Sequence, residues 1–226
     1  NNGSMQAGAI ANDGASYNGG QTGSIIGGSL WHHVAGVYNP LATNKVSLYV
    51  DGVLDVSGNL TVTPNTSSTG DIVIGRRVDG INRFNGNIDE VRIWNVAKTV
   101  TEINASKNSQ LCNSTPNLYA YFPMNDGIPN GNNTNAVIYD QSSGFKTGTF
   151  MNFDLTGTTS NFSTGKSLGA GMTVNKIKRT VCSSYTWPLT GLTYSTPGVY
   201  SARLTKTNGC DSIVRLNLSI ATSISV

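Results

Sequence analysis

From Val46 onward, apolar Val46, Leu48 and Val50 alternate with Ser47 and Tyr49. That period of two marks a strand with one buried and one wetter face. Asp51-Gly52 follows, a pair suited to a tight hairpin because Gly accepts a positive φ. The returning strand opens at Val53-Leu54, and Ile72 and Ile74 predict another inward-facing pair. Within residues 87–95, Val91 and Ile93 point one way while Glu90, Arg92 and Trp94 point the other, which predicts an ion pair between Glu90 and Arg92. Thr99-Val100-Thr101-Glu102 is a capping box. It predicts a short helix over one end of the sheet. Leu118, Ala120 and Phe122 alternate with Tyr119 and Tyr121 and predict a strand that returns to the same sandwich. The Gly/Asn/Ser-rich residues 1–20 show no obvious strand.

A second set of short β runs occupies residues 174–222. Pro188, Gly191, the Pro197-Gly198 turn and the Asn208-Gly209 turn separate them. Val214, Leu216 and Leu218 alternate there with Arg215, Asn217 and Ser219. The expected class is all-β: an antiparallel sandwich over residues 1–168, a linker over 169–173, and a small β module over 174–222.

Composition narrows the class further. Only 12% of the 226 residues are charged and 38% are hydrophobic, which excludes a disordered polyelectrolyte and disfavours a helical cytosolic protein. The 26 Gly and 7 Pro lie below the ~25–30% of low-complexity chains, so they read as turn punctuation. The net charge of +3 comes from scattered residues, apart from Arg76-Arg77 and the cluster Lys176, Lys178, Arg179. No basic stripe with interleaved aromatics marks a nucleic-acid binder. No apolar run approaches the ~18–20 residues of a membrane-spanning helix. The opening at Asn1, without Met or a leader, suggests a piece of a longer polypeptide.

Candidate catalytic residues are few. His32 and His33 are adjacent on an expected strand and face opposite sides, so one packed and one surface histidine is expected. Asp89 and Glu90 likewise diverge, whereas a retaining glycosidase needs two carboxyls about 5 Å apart. There is no G-x-S-x-G elbow, P-loop or dinucleotide fingerprint. The expectation is a protein that is not an enzyme and requires no cofactor. Calcium is the open cofactor question, because loops rich in oxygen ligands suit it. Asp126, Asn132 and Asp140 form one candidate set, although these residues are also ordinary turn chemistry. Tyr49, Tyr119, Tyr121, Tyr185 and Tyr194 would stack on sugars if exposed, but aromatics on strands more often pack.

The run WHHVAGVYNP…KVSLYVDGVLDVSG…DIVIGRR…RFNGNIDEVRIWNVAKTVTEI resembles the C-terminal half of a laminin-G-like, concanavalin-A-type jelly roll. That family usually has several strands before the position of Trp31. The resemblance therefore implies a jelly roll truncated at its N-terminal side, or one completed from elsewhere. It implies binding at an extracellular surface rather than catalysis. The loop 76–87 aligns with the calcium loop of pentraxins, with Asp79 and Asn82 as ligands, though Arg76 and Arg77 stand where ligands are expected. Residues 118–165 resemble the tail that follows such jelly rolls in large secreted proteins of the Bacteroidota; the same motif also opens new laminin-G-like domains, but no second WHHVAG or DEVRIW follows, which favours the tail.

The later segment, with CSSYTW…GVY…NGCDS, is similar to an Ig-like repeat of Bacteroidota surface and adhesin-like proteins. A Cys182–Cys210 disulfide is expected to close its loop of about 28 residues, contributing ~3–4 kcal/mol. Cys112 is left over, either buried and free or paired upstream. A metal at these cysteines is disfavoured, as no CxxC or His partner accompanies them. Asp211-Ser212-Ile213 resembles the short O-glycosylation signal of that phylum, making Ser212 a candidate.

The expected function is a non-catalytic segment of a secreted or cell-surface adhesin, binding a glycan or protein ligand, with the repeat as spacer. The resemblance adds type IX secretion machinery as a partner. The rivals are an accessory carbohydrate-binding module of a secreted hydrolase and a stalk that binds nothing.

Overall fold

A computed structural model describes residues 4–10, 17–25, 30–59, 71–76, 83–112, 114–134, 136–144, 146–166, 168, 174–204 and 212–221. The elements described there are fourteen strands and one short helix, an all-β sandwich as expected.

β1 (Ser4–Ile10) and β2 (Tyr17–Ile25) form an antiparallel hairpin. This corrects the reading of residues 1–20 as strandless. The run is poor in β-branched residues, so side-chain preference gives no signal, and the pairing is set by backbone bonds between the two halves.

β3 (Val34–Tyr38), β4 (Val46–Val50) and β5 (Val53–Gly58) form an antiparallel meander. Val46 and Leu48 are buried and pack with Val34 and Val56. The β1–β2 hairpin lies against β4 and β5. Asp51 and Gly52 both hold positive φ, 52° and 83°, which a two-residue turn with this twist demands.

Ile72 and Ile74 do not form an inward pair. They lie outside any strand and are 58% and 38% exposed; among the described residues no partner strand fixes an alternation there.

β6 (Val91–Trp94) pairs with β7 (Leu118–Phe122). Between them α1 (Val100–Ser106) starts at the capping box: the Glu102 amide donates to Thr99 Oγ1, and Glu102 accepts from the Thr99 amide. Three hydrogen bonds, from the Thr99 amide, the Thr99 hydroxyl and the Lys98 ammonium, hold the Glu102 carboxyl down at about 2. Ile103 is the helix's buried residue. Its exposed side holds the β4–β5 turn, with Asn104 Nδ2 donating to the Gly52 carbonyl and Lys107 Nζ to that of Asp51. The helix therefore does cover one end of the sheet.

Beyond β7, β8 (Ile138–Tyr139) and β9 (Thr147–Gly148) make a minimal hairpin. Then β10 (Val174–Val181), β13 (Gly198–Leu204) and β14 (Ser212–Ile220) form a mixed sheet in the order β10-β14-β13, with β10 parallel to β14. β11 (Tyr185–Thr186) and β12 (Thr193–Tyr194) pair beside it. Trp187, Val214, Leu216 and Leu218 are its buried core.

Arg215, expected on the wet face, is buried. Its guanidinium pairs with Asp126 at 2.5 Å and lies 3.9 Å from the centroid of the Tyr139 ring. Lys176 Nζ donates to the Asp126 carbonyl at 2.7 Å. A polar junction thus ties β10 and β14 to the segment that follows β7.

Candidate functional site

The inward Val46 and Leu48 leave Ser47 and Tyr49 on the other face of β4, beside Val37 of β3. Those three residues floor a cleft of about 180 Å³. One wall is the β3–β4 loop, through Asn39, Ala42, Asn44 and Lys45; the other is Ala97-Lys98-Thr99, just ahead of α1.

Each wall is braced. The Asn39 amide donates to the Lys45 carbonyl at 2.8 Å, Asn39 Oδ1 accepts from the Leu41 amide, and Asn44 Nδ2 donates to Ser57 Oγ. Opposite, Lys98 Nζ sits 3.0 Å from Glu102 Oε1 and 4.3 Å from the centroid of the Trp94 ring. The lining joins one aromatic ring, amides, hydroxyls and two ammonium groups, with no carboxylate among its residues. Closed small-molecule sites occupy ~300–1,000 Å³. A cleft this small and open seats one unit of an extended ligand.

Tyr49 was the only one of these cleft residues singled out for ligand contact from sequence. Alternation gives Ser47 and Tyr49 their outward direction. The wall at 97–99 arrives from about fifty residues away and leaves no local signal.

The other candidate tyrosines are placed differently. Tyr121 is 1% exposed, packed in a cluster with Leu111, Leu118 and Trp94; its hydroxyl donates to Glu90 Oε2 at 2.6 Å. Burial and that carboxylate push its phenol well above the usual range. Tyr119 is exposed, with the Lys146 ammonium 4.0 Å from its ring centroid. Tyr185 and Tyr194 pack on the second core, Tyr194 stacking at 3.8 Å on Tyr200.

The acidic pair diverges as expected. Glu90 has φ 56°, a left-handed turn that sends the two carboxylates apart. Asp89 accepts from the Lys166 and Glu90 amides, while Glu90 pairs with Arg92 at 3.0 Å and accepts from Tyr121 and Gln110. Burial, helped by the neighbouring Glu90 charge, raises the Asp89 carboxyl against the pull of those amides. Arg92 is spent on the carbonyls of Ser106 and Ser109 as well.

His32 and His33 do not split into packed and surface residues. Both are partly buried and both hold Asp51: His32 Nδ1 lies 2.8 Å from Oδ2, and the His33 amide donates to Oδ1 at 2.9 Å. The cause is the Asp51 turn, which brings one carboxylate to both residues. Burial lowers the His33 imidazole, with the Arg92 and Lys107 charges adding and Asp51 opposing.

The candidate calcium ligands Asp126, Asn132 and Asp140 each accept hydrogen bonds from within the protein. Asp126 is committed to Arg215 and the Tyr139 amide. Asn132 Oδ1 accepts from the Thr134 amide and hydroxyl. Asp140, 1% exposed, accepts from the amides of Tyr121, Ser142 and Lys146 and from the Ser142 hydroxyl. No group of three His, Cys, Asp or Glu side chains suited to a metal occurs among the described residues. Asp79 and Asn82 lie outside the described residues.

The expected Cys182–Cys210 bridge is corrected. Cys182 follows the last residue of β10 as an exposed free thiol, and Cys112 is disulfide-bonded. Cys210 lies outside the described residues. Ser212 is 3% exposed, since it opens the central strand β14, so the folded chain does not present its hydroxyl for glycosylation. Among the described residues, no helix is long and apolar enough to cross a membrane.

No curated protein and no solved structure matches the chain. Residues 1–104 match the family model of the Concanavalin A-like lectin/glucanases superfamily, which supports a laminin-G-like domain in the segment that builds the cleft.

Proposed function

We propose that this chain is a non-catalytic binding segment of a secreted or cell-surface, adhesin-like protein. It holds one unit of a glycan in the cleft over β3 and β4. The single observation behind this reading is the lining: the Tyr49 ring, the amides of Asn39 and Asn44, and no carboxylate to act as acid or base. A sugar ring matches that set, with its C–H face on the aromatic and its hydroxyls on amides. The polar groups come from the protein, so the reading requires no metal.

The repeat built on β10, β13 and β14 serves as an Ig-like spacer. The resemblance to Bacteroidota surface proteins adds export by a type IX system to the reading.

A glycan array with wild-type protein and Tyr49→Ala tests it. Wild type should bind a defined subset of glycans, and Tyr49→Ala should weaken that binding by about tenfold, corresponding to ~1.4 kcal/mol. Wild-type protein that binds nothing at high surface density would point to a stalk instead.

A further inference from the structure

The cleft carries a charge imbalance. Lys98 is already neutralised by Glu102, at 3.0 Å. Lys45 lines the same space and has no ion pair among the described residues. Its neighbour Val46 is buried in the sheet core, and its carbonyl is fixed by the Asn39 amide. The backbone that carries the Lys45 ammonium is therefore held at the rim. Two ammonium groups meet one carboxylate here, leaving about one positive charge beside the Tyr49 ring.

This asymmetry bears on ligand choice. A neutral sugar seated on Tyr49 would strip water from the Lys45 ammonium and return nothing of opposite sign, which costs free energy. A ligand whose own carboxylate or sulfate reaches Lys45 replaces that water with a charge-assisted hydrogen bond. We infer that the cleft selects an acidic sugar, one carrying a carboxylate or sulfate next to the ring that stacks on Tyr49. This inference rests on the glycan-binding reading above and adds the chemical class.

The test compares a galacturonic acid trisaccharide with its methyl ester by calorimetry and by NMR titration of the full chain. The ester keeps the ring and hydroxyls and removes the charge. The acid should bind roughly tenfold more tightly than the ester at low salt, and raising salt from 20 to 300 mM should erode most of that difference. Lys45→Gln should abolish the difference between the two ligands, weakening the acid and, with no ammonium left to desolvate, slightly tightening the ester. Equal binding of acid and ester through cleft residues, indifferent to Lys45→Gln, would overturn the acidic preference and leave the glycan reading standing. Shifts for neither ligand at Tyr49 and Asn44 would remove the glycan reading for such sugars, and the inference with it.

Discussion

Replacing Asp126 by Ala removes the counter-charge of a guanidinium that water does not reach. The side chains of Arg215 and Asp126 are 4% and 2% exposed. Deleting one member of such a pair leaves a buried charge without compensation, at a typical cost of ~3–5 kcal/mol. The Tyr139 amide also loses its acceptor. The Tyr139 ring beside the guanidinium and the Lys176 bond to the Asp126 backbone remain, which keeps the expectation near the lower end. With a urea slope of ~2–3 kcal/mol per molar, Asp126→Ala should lower the unfolding midpoint by about 1–2 M. The deficit should change little between 0.1 and 0.5 M NaCl, because burial excludes screening ions. The double variant Asp126→Leu with Arg215→Met should recover most of the loss, since apolar groups of similar size commonly replace buried pairs without penalty. Urea titrations followed by tryptophan fluorescence report all three, with Trp187 buried in the core of the sheet that contains Arg215. A midpoint shift under about 0.3 M for Asp126→Ala would refute the reasoning, because it would mean that the pair is solvated in solution.

Gly52→Ala should destabilise by ~1–3 kcal/mol in a thermal melt, since the position holds φ 83° and a Cβ there would clash with the Asn104 carboxamide. His33 gives a pH dependence of definite sign. Its folded-state affinity for protons lies below that of the unfolded chain, so stability should fall as pH drops below about 6.5; His33→Gln should flatten urea midpoints measured between pH 5 and 7.

What could be read in the sequence was what depends on near neighbours. Val46 and Leu48 declared their face by alternation, Asp51-Gly52 its turn, and Thr99 with Glu102 the start of the helix. Glu90 and Arg92, two apart, declared their pairing. Illegible features depend on partners distant in the chain. Arg215 sits in an alternating run that marks it as exposed, and only Asp126, 89 residues earlier, reverses that. Tyr121 tolerates its burial because Glu90, just ahead of the neighbouring strand, offers its hydroxyl an acceptor. The cleft follows the same division: its floor follows from the β4 alternation, and its second wall follows from where α1 is anchored. Cys182 shows the limit of spacing arguments, as a loop length says nothing about which thiol the folded chain brings near another.

The strands that open and close the repeat, β10 and β14, run side by side in the same direction through eight paired positions, from Val174–Ile213 to Val181–Ile220. The polypeptide therefore enters at one end of this sheet and departs at the opposite end. Tension applied along the chain would act on that seam as on a lap joint, loading its cross-links together in shear instead of peeling them apart singly.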